Sequence, residues 1–192
     1  GKISFAFDAY PTADTAINVH ADDADSATST GSDGSVSARS GRLRLLNAYG
    51  SELLKLRVPV RAEYYSSTVW RLNTADTCTG TSISSGMVGL RSAGPTVTVD
   101  GIVAGIGGNG TWDIRLNLPS GPGMVDLALN LGTSTTLGAA DACLGGTNIT
   151  TGAFGLGYLA SNWCGSGFDK FPAARLRLGS PKAPYIYLRE RF

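Results

Sequence analysis

The side chains able to do chemistry are few. Cysteines stand at Cys78, Cys143 and Cys164, and His20 is the only histidine. With no CxxC spacing and one imidazole, a Cys/His zinc site has no ligand set. An odd cysteine count leaves one bridge plus a free thiol, or no bridge at all, and the composition is of the exported kind in which bridges persist. Cys143–Cys164 would close a Gly-rich loop, while Cys78–Cys143 or Cys78–Cys164 would join distant strands. Spacing does not choose among them. Asp22, Asp23, Asp25 and Asp33 are the calcium candidates, because oxygen-rich loops bind that ion. Their spacing is not that of an EF-hand and no closing bidentate Glu follows, so a solvated acidic loop without a cofactor is expected.

Three further constellations invite catalytic or ligand readings. His20 among many serines suggests a Ser/His/Asp triad, but no GxSxG elbow marks a nucleophile. Asp100, Asp113 and Asp126 fall in or beside strands, where two of them could form a glycosidase pair; solvent-facing alternation is the simpler expectation. No catalytic residue is therefore assigned, and an enzyme is not expected. Trp70, Trp112 and Trp163, with Tyr64 and Tyr65, are either core anchors or a sugar-stacking platform. Gly105-Ile106-Gly107-Gly108-Asn109-Gly110 matches the dinucleotide GxGxxG by letter. That chemistry needs a helix after the glycines. Thr111-Trp112-Asp113-Ile114 reads as strand instead, so the stretch is expected to be a hairpin turn, with Asn-Gly in a type I′ geometry.

The elements that would position these residues are short strands. Ile3, Phe5 and Phe7 alternate with polar neighbours, and Ala16–His20 is a second candidate strand. Residues 21–40 hold almost nothing that packs and are expected as a long exposed loop. Arg42–Leu46 alternates Arg with Leu, and residues 47–50 carry turn chemistry. A helix over Ser51–Val58 is the rival to a strand in which Val58, Val60, Ala62 and Tyr64 share one face. That strand puts Pro59 at an edge or bulge. Val69–Asn73 follows. Thr96–Val99, Ile102–Ile106, Trp112–Leu118 and Met124–Leu131 read as an antiparallel meander. Residues 132–157 are Gly/Thr-rich and irregular, and Ala174–Leu178 and Tyr185–Phe192 close the chain. The fold class expected is all-β: an antiparallel β-sandwich or packed β-sheets with long Gly/Ser/Thr-rich loops. Residues 1–40 form an N-terminal strand region with a polar loop, and 41–192 the main β domain.

Composition bounds the partners. Charged residues are 16% of the 192, below the roughly 25% of average domains. Gly numbers 26, about twice its usual share of ~7%. A net charge of +1 supplies no field for nucleic acid or an anionic membrane. No apolar run reaches the ~20 residues of a membrane helix. Gly1-Lys2-Ile3-Ser4 lacks the order of a signal peptide, so the chain reads as a mature product or an excised fragment.

Residues 41–79 read GRLRLLNAYGSELLKLRVPVRAEYYSSTVWRLNTADTCT. This resembles the C-terminal region of MshQ-like proteins, associated with biogenesis of mannose-sensitive haemagglutinin (MSHA) type IV pili. The matching elements are Gly41–Leu54, Val58-Pro59, Trp70–Asn73 and Asp76–Thr79. Near the end, Pro172-Ala173-Ala174-Arg175 leads to Tyr185-Ile186-Tyr187-Leu188-Arg189-Glu190, similar to that family's closing stretch. The resemblance covers about a third of the chain. It implies an exported, surface-associated bacterial protein with several β domains, of which this is the last, and it brings no catalytic residues.

The function expected is a non-enzymatic extracellular module, structural or adhesive, associated with such pili or other extracellular filaments. Its partners would be copies of itself or pilus and surface proteins. In a self-assembling fibre, the interaction residues would be Ile3, Phe5, Phe7, Ile186 and Leu188, adding strands to a neighbour's open edge. In a carbohydrate-binding module, glycans would meet Trp70, Trp112 and Trp163.

Overall fold

The structure, a computed structural model, describes residues 15–18, 35–38, 40–66, 68–144 and 148–179; for 15–18 and 35–38 it describes the backbone. The expectations for Ile3–Phe7, His20, Asp22, Asp23, Asp25, Asp33 and Tyr185–Phe192 fall outside these residues. In chain order the strands are β1 (Thr15–Asn18), β2 (Ser35–Ala38), β3 (Gly41–Leu45), β4 (Ala48–Gly50), β5 (Arg57–Ser66), β6 (Val69–Leu72) and β7 (Val88–Ser92). Then come β8 (Val99–Ala104), β9 (Thr111–Leu116), β10 (Gly123–Leu129), β11 (Thr136–Leu137), β12 (Ile149–Thr150) and β13 (Ala173–Leu178). Helical structure among the described residues is limited to single turns at Thr79–Ser82, Ser85–Met87 and Gly157–Leu159. The fold is all-β.

Two sheets pack face to face. One has the order β3-β5-β9-β8, with β6 paired to the far end of β5; the other has the order β4-β13-β10-β7. The alternation that defines the strands also fills the space between them. Leu43, Leu45, Val58, Val60, Ala62, Ile114 and Leu116 come from the first sheet, and Val125, Leu127, Leu129, Ala174, Leu176 and Leu178 from the second. All are buried in one cluster. Arg57 and Arg61 face outward, as the alternation predicts. β10 is covered on its reverse face too, where Ala128 packs with Leu137 and Ala142 in a smaller cluster. The Gly-rich segment after β10 thus serves as a lid over that sheet.

Four expectations change. β2 is a strand inside the stretch expected as loop, paired antiparallel with β1; its partner lies seventeen or more residues away, out of reach of a local reading. Ala48–Gly50 is a strand rather than a turn, running parallel to β13 with Tyr49 opposite Arg177. A parallel pair needs a distant partner, and Ala48–Gly50 finds its own at the other end of the domain. β8 and β9 form the expected antiparallel hairpin, but β10 crosses to the second sheet, so the meander ends at β9. β10 pairs with β13 and β7 along its edges, while its two faces are covered by the main core and by the smaller cluster around Ala128.

The fourth change is the turn itself. Gly108 and Gly110 have φ of 80° and 76°, while Asn109 has no positive φ. A type I′ turn requires positive φ at both central residues. Instead Gly108 N–H bonds to the Gly105 carbonyl and Thr111 N–H to the Gly108 carbonyl, giving two linked turns in a six-residue loop. Pro59 sits within a central strand yet loses no partner inside the ladder. Its carbonyl accepts from Leu46 N–H at 3.0 Å, one residue past the end of β3, so its missing donor falls where that ladder stops.

Candidate functional site

Alternation places Arg42, Glu63, Tyr65 and Trp70 on the outer face of the first sheet, with Arg42 directly opposite Glu63 and Tyr65 opposite Trp70. Arg42 donates from Nε to Glu63 Oε2 at 2.8 Å, and its Nη2 lies 2.6 Å from the same oxygen. Arg44 reaches Glu63 Oε1 at 3.4 Å. The guanidinium carbon of Arg42 lies 4.1 Å from the ring centre of Trp70 and 4.6 Å from that of Trp163. A planar cation stacked on two indoles, with two of its nitrogens on one carboxylate oxygen, is an arrangement that suits Arg rather than Lys. Tyr65 meets Trp70 edge-on at 5.3 Å. Burial pulls the Arg42 pKa below its ordinary value, and the hydrogen bond to Glu63 works against that pull.

Trp163 comes from the loop before β13, and its neighbour Cys164 is bonded to Cys143. Of the three open pairings, this is the one that closes the Gly-rich loop, and Cys78 is left free and exposed. Cys143 has φ of 56°, a left-handed conformation that a non-glycine residue adopts at a cost. Beside the bridge lies an open cleft of about 370 Å³, lined by Trp163, Asp126, Arg175, Asn47 and Leu144 among others. Asp126 takes Arg91 Nη2 at 2.7 Å on one oxygen and Arg175 Nε at 2.8 Å on the other. These three residues are direct cross-strand neighbours on β7, β10 and β13. The hydrogen bond from Arg175 first, and that from Arg91 after it, hold the Asp126 carboxyl below its usual pKa. Asp126 in turn raises the pKa of Arg175.

Of the three carboxylates expected as solvent-facing, Asp100 is exposed, Asp126 is half-buried and Asp113 is buried. Asp113 is 4% exposed with Arg57 at 3.3 Å, and Asp100 meets Lys55 and Arg115 at 3.2 and 3.4 Å. Each lies beside cations rather than beside a second carboxylate, because the register brings strands rich in Arg against them. The tryptophans divide. Trp112 packs against the main core, with its indole so close to Gly80 that a Cβ there would overlap it. Trp70 and Trp163 are clamp members outside the core, so core anchoring holds for one of the three. No group of three or more metal-ligating side chains occurs among the described residues, and no described helix is long and apolar enough to cross a membrane.

The motif residues have structural tasks. Asp76 Oδ1 accepts from the backbone N–H of Cys78 and Thr79 at 3.1 and 2.9 Å, and Oδ2 from the Thr79 hydroxyl at 2.6 Å. Asn47 Oδ1 accepts from Arg175 N–H at 2.8 Å, tying the start of β4 to β13. A family model, DUF6701, fourth domain, matches residues 39–191. The chain belongs to this family. No curated protein and no solved structure matches it.

In this DUF6701 domain, sequence reasoning singled out Trp70, Trp163 and Tyr65, and Asp126 only as one of a carboxylate pair, and missed the parts played by Arg42, Glu63, Arg91 and Arg175. One signal for the cation was present. Arg42 and Arg44 alternate with Leu43 and Leu45, and 12 of the 16 basic residues are Arg, the type suited to stacked and bidentate contacts.

Proposed function

We propose that this domain is a non-enzymatic extracellular surface module, structural or adhesive, associated with type IV pili of the MSHA kind or with similar filaments on a bacterium. The observation that carries the reading is the use made of the MshQ-like motif residues. Arg42, Trp70, Asn47, Asp76 and Arg175 are all supports: they clamp, cap or tie strands. A motif kept for support suits a module whose task is to hold shape. The Cys143–Cys164 bridge supports the same reading, since such bonds persist in oxidising compartments. Shearing appendages from cells that make the parent protein, then probing fractions with an antibody to this domain, tests it. Co-fractionation with the filaments is expected, and recovery from the cytosol overturns the proposal.

A second reading, glycan binding, is favoured by the cleft alone. Trp163 there stands beside the charged pair Asp126–Arg175 and the amide of Asn47, the mixture of aromatic surface and polar groups that ligand clefts use. A glycan array on the native domain decides it: binding lost with Trp163→Ala supports the reading, and an array without hits removes it.

A further inference from the structure

The net charge of +1 conceals an uneven distribution. On the outer face of the first sheet, Arg42 and Arg44 of β3, Arg57 and Arg61 of β5 and Arg115 of β9 stand against two carboxylates, Glu63 and Asp113. Lys55 and Asp100 at the margin add one charge of each sign. The register also sets like charges face to face: Arg44 lies directly opposite Arg61, and Arg57 directly opposite Arg115. Like charges opposite one another on a sheet are destabilising. An anionic partner on this face would relieve both pairs.

The carboxylates present do not saturate these cations. Glu63 is committed to Arg42 at 2.6 Å, and Arg44 reaches it only at 3.4 Å. Arg57 meets Asp113 at 3.3 Å and Arg115 meets Asp100 at 3.4 Å, with Arg115 Nε left without a partner. The side chains of Arg44, Arg57 and Arg115 are 45%, 51% and 40% exposed, so contacts this long hold them weakly. Arg61 is exposed and has no acidic partner among the described residues. We propose that this face binds an acidic polysaccharide, whose carboxylate or sulfate groups are taken by the Arg44–Arg61 and Arg57–Arg115 pairs.

Spacing selects the partner. Arg57 and Arg61 lie about 13 Å apart along β5, so a small anion fills one pair and a chain is needed to bridge both. Pro59 and Asp113 lie opposite each other between the pairs. A sparsely charged chain sets its anions on the arginines and a neutral stretch over Pro59 and Asp113. Duplex DNA, with one charge per ~1.7 Å, would press phosphate against that carboxylate. Tyr65 and Trp70, partly exposed at the end of the same face, add ring surface of the kind on which sugars lie. The inference uses neither the cleft nor Trp163, and it survives failure of the pilus-associated and cleft readings.

Binding of the full chain to immobilised alginate (carboxylated), dextran sulfate, uncharged dextran and duplex DNA tests it. Retention by an acidic polysaccharide is expected at about 50 mM salt, with release at about 500 mM as screening tightens. Arg61→Gln should weaken binding about threefold, and Arg44→Gln/Arg61→Gln about tenfold. Arg177→Gln removes the same charge from an exposed position on the second sheet, and should change binding by less than about twofold. Arg61→Gln should melt no lower than the natural chain, because it removes one of two facing cations. A fall in its melting temperature would assign Arg61 to the fold instead, and overturns the proposal. Retention by alginate alone or by dextran sulfate alone supports it and names the anion. No retention by either, equal retention by uncharged dextran, or equal losses for Arg61→Gln and Arg177→Gln overturns it. So does tighter binding to DNA than to either polymer, an outcome that gives the face to nucleic acid. Where the double variant fails to fold, Arg61→Gln alone carries the test.

Discussion

Trp163 and Arg42 are 121 positions apart in the chain, yet the indole ring centre lies 4.6 Å from the guanidinium carbon. Two devices hold them there: the Cys143–Cys164 bridge behind Trp163, and the Glu63 carboxylate beside Arg42. The contact joins the first strand of one sheet to the loop that leads into β13 of the other.

A double-mutant cycle on Arg42→Lys and Trp163→Ala measures this contact. The coupling should be about 1 kcal/mol in urea unfolding, the worth of the stack between guanidinium and indole. Glu63→Ala should cost more, about 3 kcal/mol, because it leaves a largely buried cation without its counter-charge. Additive single effects would show that the stack contributes nothing.

The bridge closes a loop of 21 residues. Replacing Cys143 and Cys164 with Ser should lower stability by about 3 kcal/mol, from the entropy returned to the unfolded chain. Cys78→Ser, at an exposed free thiol, should change it by less than about 0.5 kcal/mol. Thermal unfolding with and without reductant reads both.

Asp126 makes stability depend on acid. Its folded-state pKa lies below the ordinary carboxylate value, so its contribution is complete above about pH 4 and drains away as pH falls through the depressed folded value. Asp126→Asn should cost about 1–2 kcal/mol at neutral pH and flatten the acid limb. Urea midpoints taken from about pH 7 down to about pH 2 would show the natural and variant curves converging.

Two hairpin glycines should respond differently to alanine. At Gly110, with φ of 76°, a Cβ would overlap the Asn73 carbonyl, so Gly110→Ala should cost more than about 2 kcal/mol. Gly108 has φ of 80° but open space around it, so Gly108→Ala should cost only about 1 kcal/mol. Equal losses would mean that strain alone, and not the contact with Asn73, sets the geometry.

What the sequence disclosed was local. Alternation in Gly41–Leu45, Arg57–Ser66 and Ala173–Leu178 is visible residue by residue, and Thr111-Trp112 after the glycines was enough to turn a nucleotide-like pattern into a hairpin. Relations between distant segments were not legible. Ala48–Gly50 looks like a turn until β13 is beside it, and Met124–Leu129 looks like the next strand of a meander until both its faces are seen covered. The pairing of Cys143 with Cys164 and the cations around Asp113 and Asp126 depend on register in the same way. Asn109 carried a tolerance of positive φ that the six-residue loop did not use.

The pairing of β4 with β13 bears on how the domain meets force. The two strands run in the same direction, and the chain continues past Gly179 at the end where their bonds finish. Tension applied beyond that point draws β13 lengthwise between β4 and β10. The backbone bonds on both sides of the strand, together with the bond from Arg175 N–H to Asn47, then share the load at one time instead of opening singly from an end.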